Sequence, residues 1–119
     1  MRRAVLCVLV GLALASLACS SSSNPSTPSN GSVNVSIVPN SRTLTTNAYS
    51  PNPVTISHGG TITWMNNDAI THTATSDTGV WDSGNLGPGA SFSHTFQNAG
   101  TFTYRCTIHP GMVGTVNVQ

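Results

Sequence analysis

The sequence predicts an all-β fold, two sheets packed as a sandwich, and three observations predict it. From Ser32 to the C-terminus, short runs of Val, Ile, Thr, Phe and Tyr are separated by Gly, Pro and Asn. Branched and aromatic side chains pack well on pleated backbone, and the intervening residues favour turns. In Thr61-Ile62-Thr63-Trp64 and Ser91-Phe92-Ser93-His94-Thr95-Phe96 apolar and polar residues alternate, so one face of each strand turns inward. Beyond the N-terminal apolar run, no stretch carries helical periodicity.

Taken in order, residues 1–18 read as an export signal. Met1-Arg2-Arg3 is a short positive start, and the apolar run Ala4 to Ala18 is too short and wrongly flanked for a membrane span. Residues 19–31, including SSSSNPSTPSNG, have no apolar periodicity and cannot bury enough surface to order themselves. They are expected to form a flexible tether with a reach of ~20 Å. Cys7 would leave with the signal, and Cys19 would stand at its end. The segment resembles a bacterial lipoprotein signal, in which such a cysteine becomes the acylated N-terminus and anchors the protein to a membrane. It departs from that pattern in having Ser16 where the leucine is usual. Cleavage after Ala18 by an ordinary signal peptidase remains open, because Ser16-Leu17-Ala18 also offers small residues at the required places. Either way the protein is expected outside the cytoplasm.

Residues 32–119 form the folded domain. Strands are expected near 33–38, 54–57, 61–66, 71–75, 91–96, 101–106 and 113–118, a spacing that suits a two-sheet sandwich. Turn signals separate most of them: His58-Gly59-Gly60, Asn66-Asn67-Asp68, Leu86-Gly87-Pro88-Gly89 and Asn98-Ala99-Gly100. His58 reads as a solvated turn residue. His94 shares a face with Phe92 and Phe96 and is expected to be partly buried, while Trp64 and Trp81 read as packing residues.

Charge is sparse. The chain has no lysine, and past the signal only Arg42, Arg105, Asp68, Asp77 and Asp82 carry formal charge. With no basic patch to neutralise phosphates, nucleic acid is excluded as a partner. Long-range steering of a charged protein would also be weak, leaving docking to shape and apolar contact. The three aspartates fall near turns, where solvent exposure or local backbone bonding accounts for them.

Chemistry concentrates in Tyr104-Arg105-Cys106-Thr107-Ile108-His109-Pro110-Gly111-Met112. A thiol, an imidazole and a thioether recur every three residues where a strand gives way to a loop, and Pro110-Gly111 favours a tight turn. Soft sulfur beside imidazole selects copper over hard cations, whereas zinc prefers closed sets of thiolates and imidazoles to a thioether. If Cys19 is acylated, Cys106 has no disulfide partner in the chain, which metal ligation would explain. A second imidazole must come from elsewhere, and His72, placed after the turn at Asn66 to Asp68 and opening a strand, is the best candidate.

These residues resemble the cupredoxins, the small blue-copper family that includes plastocyanin and amicyanin. The likeness runs through Val54-Thr55-Ile56, Gly59-Gly60-Thr61-Ile62-Thr63-Trp64, His72-Thr73-Ala74-Thr75-Ser76 and Trp81-Asp82-Ser83-Gly84 to the Cys106 loop, whose C-x2-H-x2-M spacing is the short form of amicyanin. It implies a Greek-key sandwich with one copper ion, His72, Cys106 and His109 in a trigonal plane and Met112 as the long axial ligand. Thr73 stands where the family often has Asn, the residue that helps tie the ligand loops together.

No further histidines flank Cys106 to build an oxygen-reducing centre, the loop has one cysteine rather than two, and no nucleophile-base arrangement is present. The chain is therefore expected to be a monomeric electron carrier rather than an enzyme. Electrons would pass through an exposed His109, with Pro110, Gly111 and Met112 around it as an apolar surface for redox partner proteins. The alternative is a copper-binding carrier with no redox duty.

Overall fold

The computed structural model describes residues 31–119. The expected signal, Cys7, Cys19 and all of the tether but Gly31 lie outside the described residues. Eight strands follow in order: β1 (Ser32–Ile37), β2 (Tyr49–Ser50), β3 (Val54–Ile56), β4 (Thr61–Asn66), β5 (Thr75–Ser76), β6 (Ser91–Thr95), β7 (Gly100–Arg105) and β8 (Val113–Val118). Two single-turn 3-10 helices, Ser41–Thr43 and Thr45–Asn47, lie between β1 and β2.

The strands form two four-stranded sheets, ordered β2-β1-β4-β6 and β3-β8-β7-β5. Within them β1 runs parallel to β4 and β3 parallel to β8, and the other pairs are antiparallel. This is the predicted sandwich. Alternation along the strands decides the inner faces: Val35 and Ile37 of β1, Ile62, Trp64 and Asn66 of β4, and Gly114, Val116 and Val118 of β8 are buried. On the outer face of β4 and β6, Thr61 pairs with Thr95 at 2.8 Å and Thr63 with Ser93 at 2.7 Å, polar cross-strand pairs that fix the register.

Trp64 lies fully buried at the centre, stacked on Trp81 at 5.4 Å between centroids and edge-on to Tyr104 at 5.4 Å. Each aromatic ring so buried contributes roughly 2–3 kcal/mol, which makes Trp64 and Trp81 the packing residues expected. His94 is half-buried, stacked on Trp81 at 5.5 Å and edge-on to Phe96 at 4.8 Å. Burial holds its pKa below the usual histidine value. His58 is exposed.

Two expectations need correction. The strand expected over 71–75 is reduced to Thr75–Ser76: His72 instead makes an isolated bridge to Leu86, and the Ala74 amide donates to the Ser83 hydroxyl at 2.8 Å. The segment that carries His72 is thus held by side-chain and single-bridge bonds. The short strand β2 was not expected; it brings Tyr49 into the core, where its hydroxyl donates to the Thr73 carbonyl at 2.6 Å.

Candidate metal centre

Cys106 follows directly from the alternation of β7. Tyr104 is buried, Arg105 exposed and Cys106 again buried, so the thiol enters the interior as the strand ends. The loop to β8 closes on itself, with the Cys106 amide donating to the Met112 carbonyl at 3.0 Å and the Met112 amide to the His109 carbonyl at 3.3 Å. Gly111 turns the chain at φ 88°, a conformation that a side chain would strain. His109 is half-buried and Met112 is 1% exposed. Met112 therefore adds nothing to the surface around His109, contrary to expectation. Pro110, Gly111, Ile108 and Val113 are the exposed residues there.

His72 reaches the same point from the connection between β4 and β5. Asn66, fully buried at the end of β4, shapes its loop: the Asn66 amide donates to the Ile70 and Leu86 carbonyls at 2.8 Å each, and its oxygen accepts from the Asp68 amide at 2.9 Å. The His72 ring is fully buried. The nearest nitrogen of His72 lies 3.9 Å from the Cys106 sulfur, and Nδ1 of His109 lies 3.6 Å from it. One ligand atom from each of the three residues lies within 4.8 Å of the others. A first-row ion with bonds of about 2.0 Å to nitrogen and 2.3 Å to sulfur, in a trigonal plane, sets a nitrogen–sulfur edge of about 3.7 Å. The residues present fit such an ion.

The outer contacts fix which His72 nitrogen is free. Its Nε2 lies 2.7 Å from the Asp68 carboxylate and 3.0 Å from the Ser41 hydroxyl. A carboxylate can only accept, so Nε2 carries the proton and Nδ1 keeps its lone pair toward Cys106. Asp68 is 8% exposed and accepts in addition from the Asn40 and Ala69 amides and the Ser41 hydroxyl. Burial alone would raise its pKa, but these bonds outweigh it and hold the carboxyl well below the usual range. Sequence alone places Asp68 at a turn, facing solvent or its own backbone. The local bond to Ala69 is present, but its main work is to orient His72. The only sequence signal was a carboxylate four residues ahead of a candidate ligand.

The Cys106 sulfur accepts from the Thr73 amide at 3.3 Å, and the Thr73 hydroxyl accepts from the Thr107 amide at 2.9 Å. Thr73 therefore ties the segment of His72 to the loop of Cys106 and His109, in place of the asparagine often found there. The pKa of His109 is lowered, first by burial, then by the neighbouring His72 and Arg42, against a smaller opposing pull from Asp68. The Tyr49 hydroxyl is driven far above its usual value by burial and then by Cys106. It stays a neutral donor to Thr73.

Comparison with known proteins agrees with this geometry. Residues 38–119 match the family of copper binding proteins described as plastocyanin/azurin. The plastocyanin of Scenedesmus fuscus is 37% identical over 84 residues, 60% of this chain and 86% of that one. The amicyanin of Paracoccus denitrificans is 41% identical over 66 residues, about half of each chain. Among solved structures, a purple cupredoxin from Nitrosopumilus maritimus superposes with a TM-score of 0.67 at 32% identity, covering 73% of this chain and 99% of that one. A copper(I) amicyanin variant superposes at 0.63 with 29% identity, covering 75% and 83%. With its sandwich, its converging sulfur and imidazoles and these relatives, the chain belongs to the plastocyanin/azurin family of copper-binding proteins.

Proposed function

We propose that the protein is an exported electron carrier that passes single electrons at one copper ion held by His72, Cys106, His109 and Met112. Membership of a copper electron-transfer family supports the broad reading. The observation that carries the ligand assignment is the convergence of Cys106 Sγ with nitrogens of His72 and His109, with the opposite edge of His72 locked by Asp68. Copper supplies a one-electron couple when bound. The protein supplies a nearly fixed cage: Thr73 bonds the sulfur, Tyr49 bonds Thr73, and Cys106, His109 and Met112 share a loop closed by its own amides. Little rearrangement then accompanies a change of oxidation state.

His109 is the ligand with an exposed edge, and Ile108, Pro110 and Val113 beside it offer an apolar surface to a redox partner. Among the described residues no helix is long and apolar enough to cross a membrane. Attachment would instead run through acylated Cys19 and the tether, with the monomer free to turn above the surface. Voltammetry and self-exchange measurements test the function. Reversible one-electron cycling with fast self-exchange is the expected result; slow, irreversible cycling with intact transfer of copper to another protein would identify a copper carrier instead.

A further inference from the structure

A chain of hydroxyls leads away from the metal centre. The Thr73 hydroxyl, which accepts from the Thr107 amide at 2.9 Å, lies 2.9 Å from the Thr75 hydroxyl, and Thr75 lies 3.0 Å from Oδ1 of Asp82. Thr73 is buried, Thr75 half-buried and Asp82 exposed, so the chain runs from the ligand loops to solvent. The same Asp82 oxygen accepts from the Gly84 amide at 2.9 Å, which holds the carboxylate in place. An isolated bridge between Thr75 and Asp82 and the bond from the Ala74 amide to Ser83 keep the two segments in register.

The bonds meet at one hydroxyl. Thr75 is the donor both toward the Thr73 oxygen and toward Asp82, and with a single proton it serves one of them at a time while its oxygen sits between the two. The Thr73 oxygen accepts from the Thr107 amide and lies 3.3 Å from the Thr107 hydroxyl as well. Thr75, held on its other side by Asp82, thereby fixes the Thr73 side chain in the orientation that meets Thr107.

We propose that Asp82 and Thr75 are positioning residues for the metal centre, acting through Thr73 to strengthen the clamp on the loop that carries Cys106 and His109. The proposal rests on the ligand assignment above for its consequence at copper, but not for the clamp itself. The Thr73–Thr107 link does what the family likeness implies for that position. The new element is its outer half, which makes an exposed surface carboxylate part of the ligand scaffold. Asp82 also serves its own turn through Gly84, so a test has to separate the two roles.

Amide hydrogen exchange at Thr107 in the copper-free protein does so, because Thr75→Val cuts the chain in the middle and leaves the Asp82–Gly84 turn intact. Exchange at Thr107 should rise about tenfold, the factor for losing one ordinary hydrogen bond, while the amides of β1 and β4 stay unchanged. Thr75→Ser, which keeps the hydroxyl, should restore protection. Asp82→Asn keeps an acceptor without the charge and should give a smaller rise. In the copper-loaded protein Thr75→Val and Asp82→Asn should shift the reduction potential and the visible band in the same direction, and the double variant should shift them no further than the larger single change. Unchanged exchange at Thr107 in Thr75→Val, a uniform rise across all strands, or fully additive shifts would overturn the proposal. Failure of the protein to take up copper would refute the ligand assignment and leave the exchange result to decide the clamp.

Discussion

Replacing Asp68 by asparagine separates the role of its charge from that of its shape. The side chains are nearly the same size, so packing around the 8% exposed position is kept. Two backbone amides, Asn40 and Ala69, point at Oδ1. The amide oxygen of an asparagine must face them, since its NH2 would meet two donors. The NH2 then faces His72 Nε2 and Ser41, where the carboxylate had accepted at 2.7 and 3.2 Å. The imidazole answers by changing tautomer: Nε2 becomes the acceptor and Nδ1 takes the proton, which removes its lone pair from the metal site. Losing the charge-assisted bond costs about 1.5–3 kcal/mol, and disturbance of a ligand's outer partner typically lowers metal affinity about 10–100-fold. Competition titration with cupric ion should show that drop, and nitrogen chemical shifts of His72 should show the exchanged tautomer. Wild-type affinity with the proton still on Nε2 would refute the reasoning.

Other outcomes follow from the same structure. A Cβ at Gly114 would lie 2.3 Å from the buried Tyr104 ring, which Tyr49 and Trp64 hold from other sides. Gly114→Ala should therefore cost about 2–3 kcal/mol, seen as a thermal midpoint lowered by about 10–20 °C. His94 has a depressed pKa when folded, so its share of stability is full above the unfolded value of about 6.5 and is lost as pH falls through the folded value. His94→Phe should flatten the dependence of denaturant midpoints on pH in that window. Asp68 follows the carboxylate pattern: its contribution is complete above the unfolded value of about 3.9 and is lost only at more acidic pH, through its lower folded value. Acid unfolding followed by circular dichroism should lose that component in Asp68→Asn. The Arg105–Asp77 pair spans 3.1 Å but is exposed, and Arg105→Ala should change the denaturant midpoint by no more than about 0.5 kcal/mol.

Much of the candidate centre could be read along the chain because it lies close together there. Cys106, His109 and Met112 share one loop, and the alternation of Tyr104, Arg105 and Cys106 shows which way the sulfur turns. The longer strands β1, β4, β6, β7 and β8 were legible because each buries one face and so alternates. What escaped depends on contacts between distant segments. Asp68 near a turn looks like any turn aspartate until the fold brings Asn40 and Ser41 over it from 28 and 27 residues away. Strand β2 has two residues, followed by Pro51 and Pro53, and leaves no periodic trace. Residues 71–75 carry branched residues suited to a strand, but His72, Thr73 and Ala74 are all buried, and His72 and Ala74 find their partners in Leu86 and Ser83, so the segment is held without a continuous ladder.

The most direct measurement is to add one equivalent of cupric ion to the reduced protein and record the visible spectrum and the paramagnetic resonance. Sulfur and two imidazole nitrogens lying 3.6 and 3.9 Å apart across a common point should yield an intense thiolate-to-copper band, lost in Cys106→Ser. Pale, weak absorption at full copper occupancy, or a band that survives in Cys106→Ser, would contradict a copper ion bound through that thiolate.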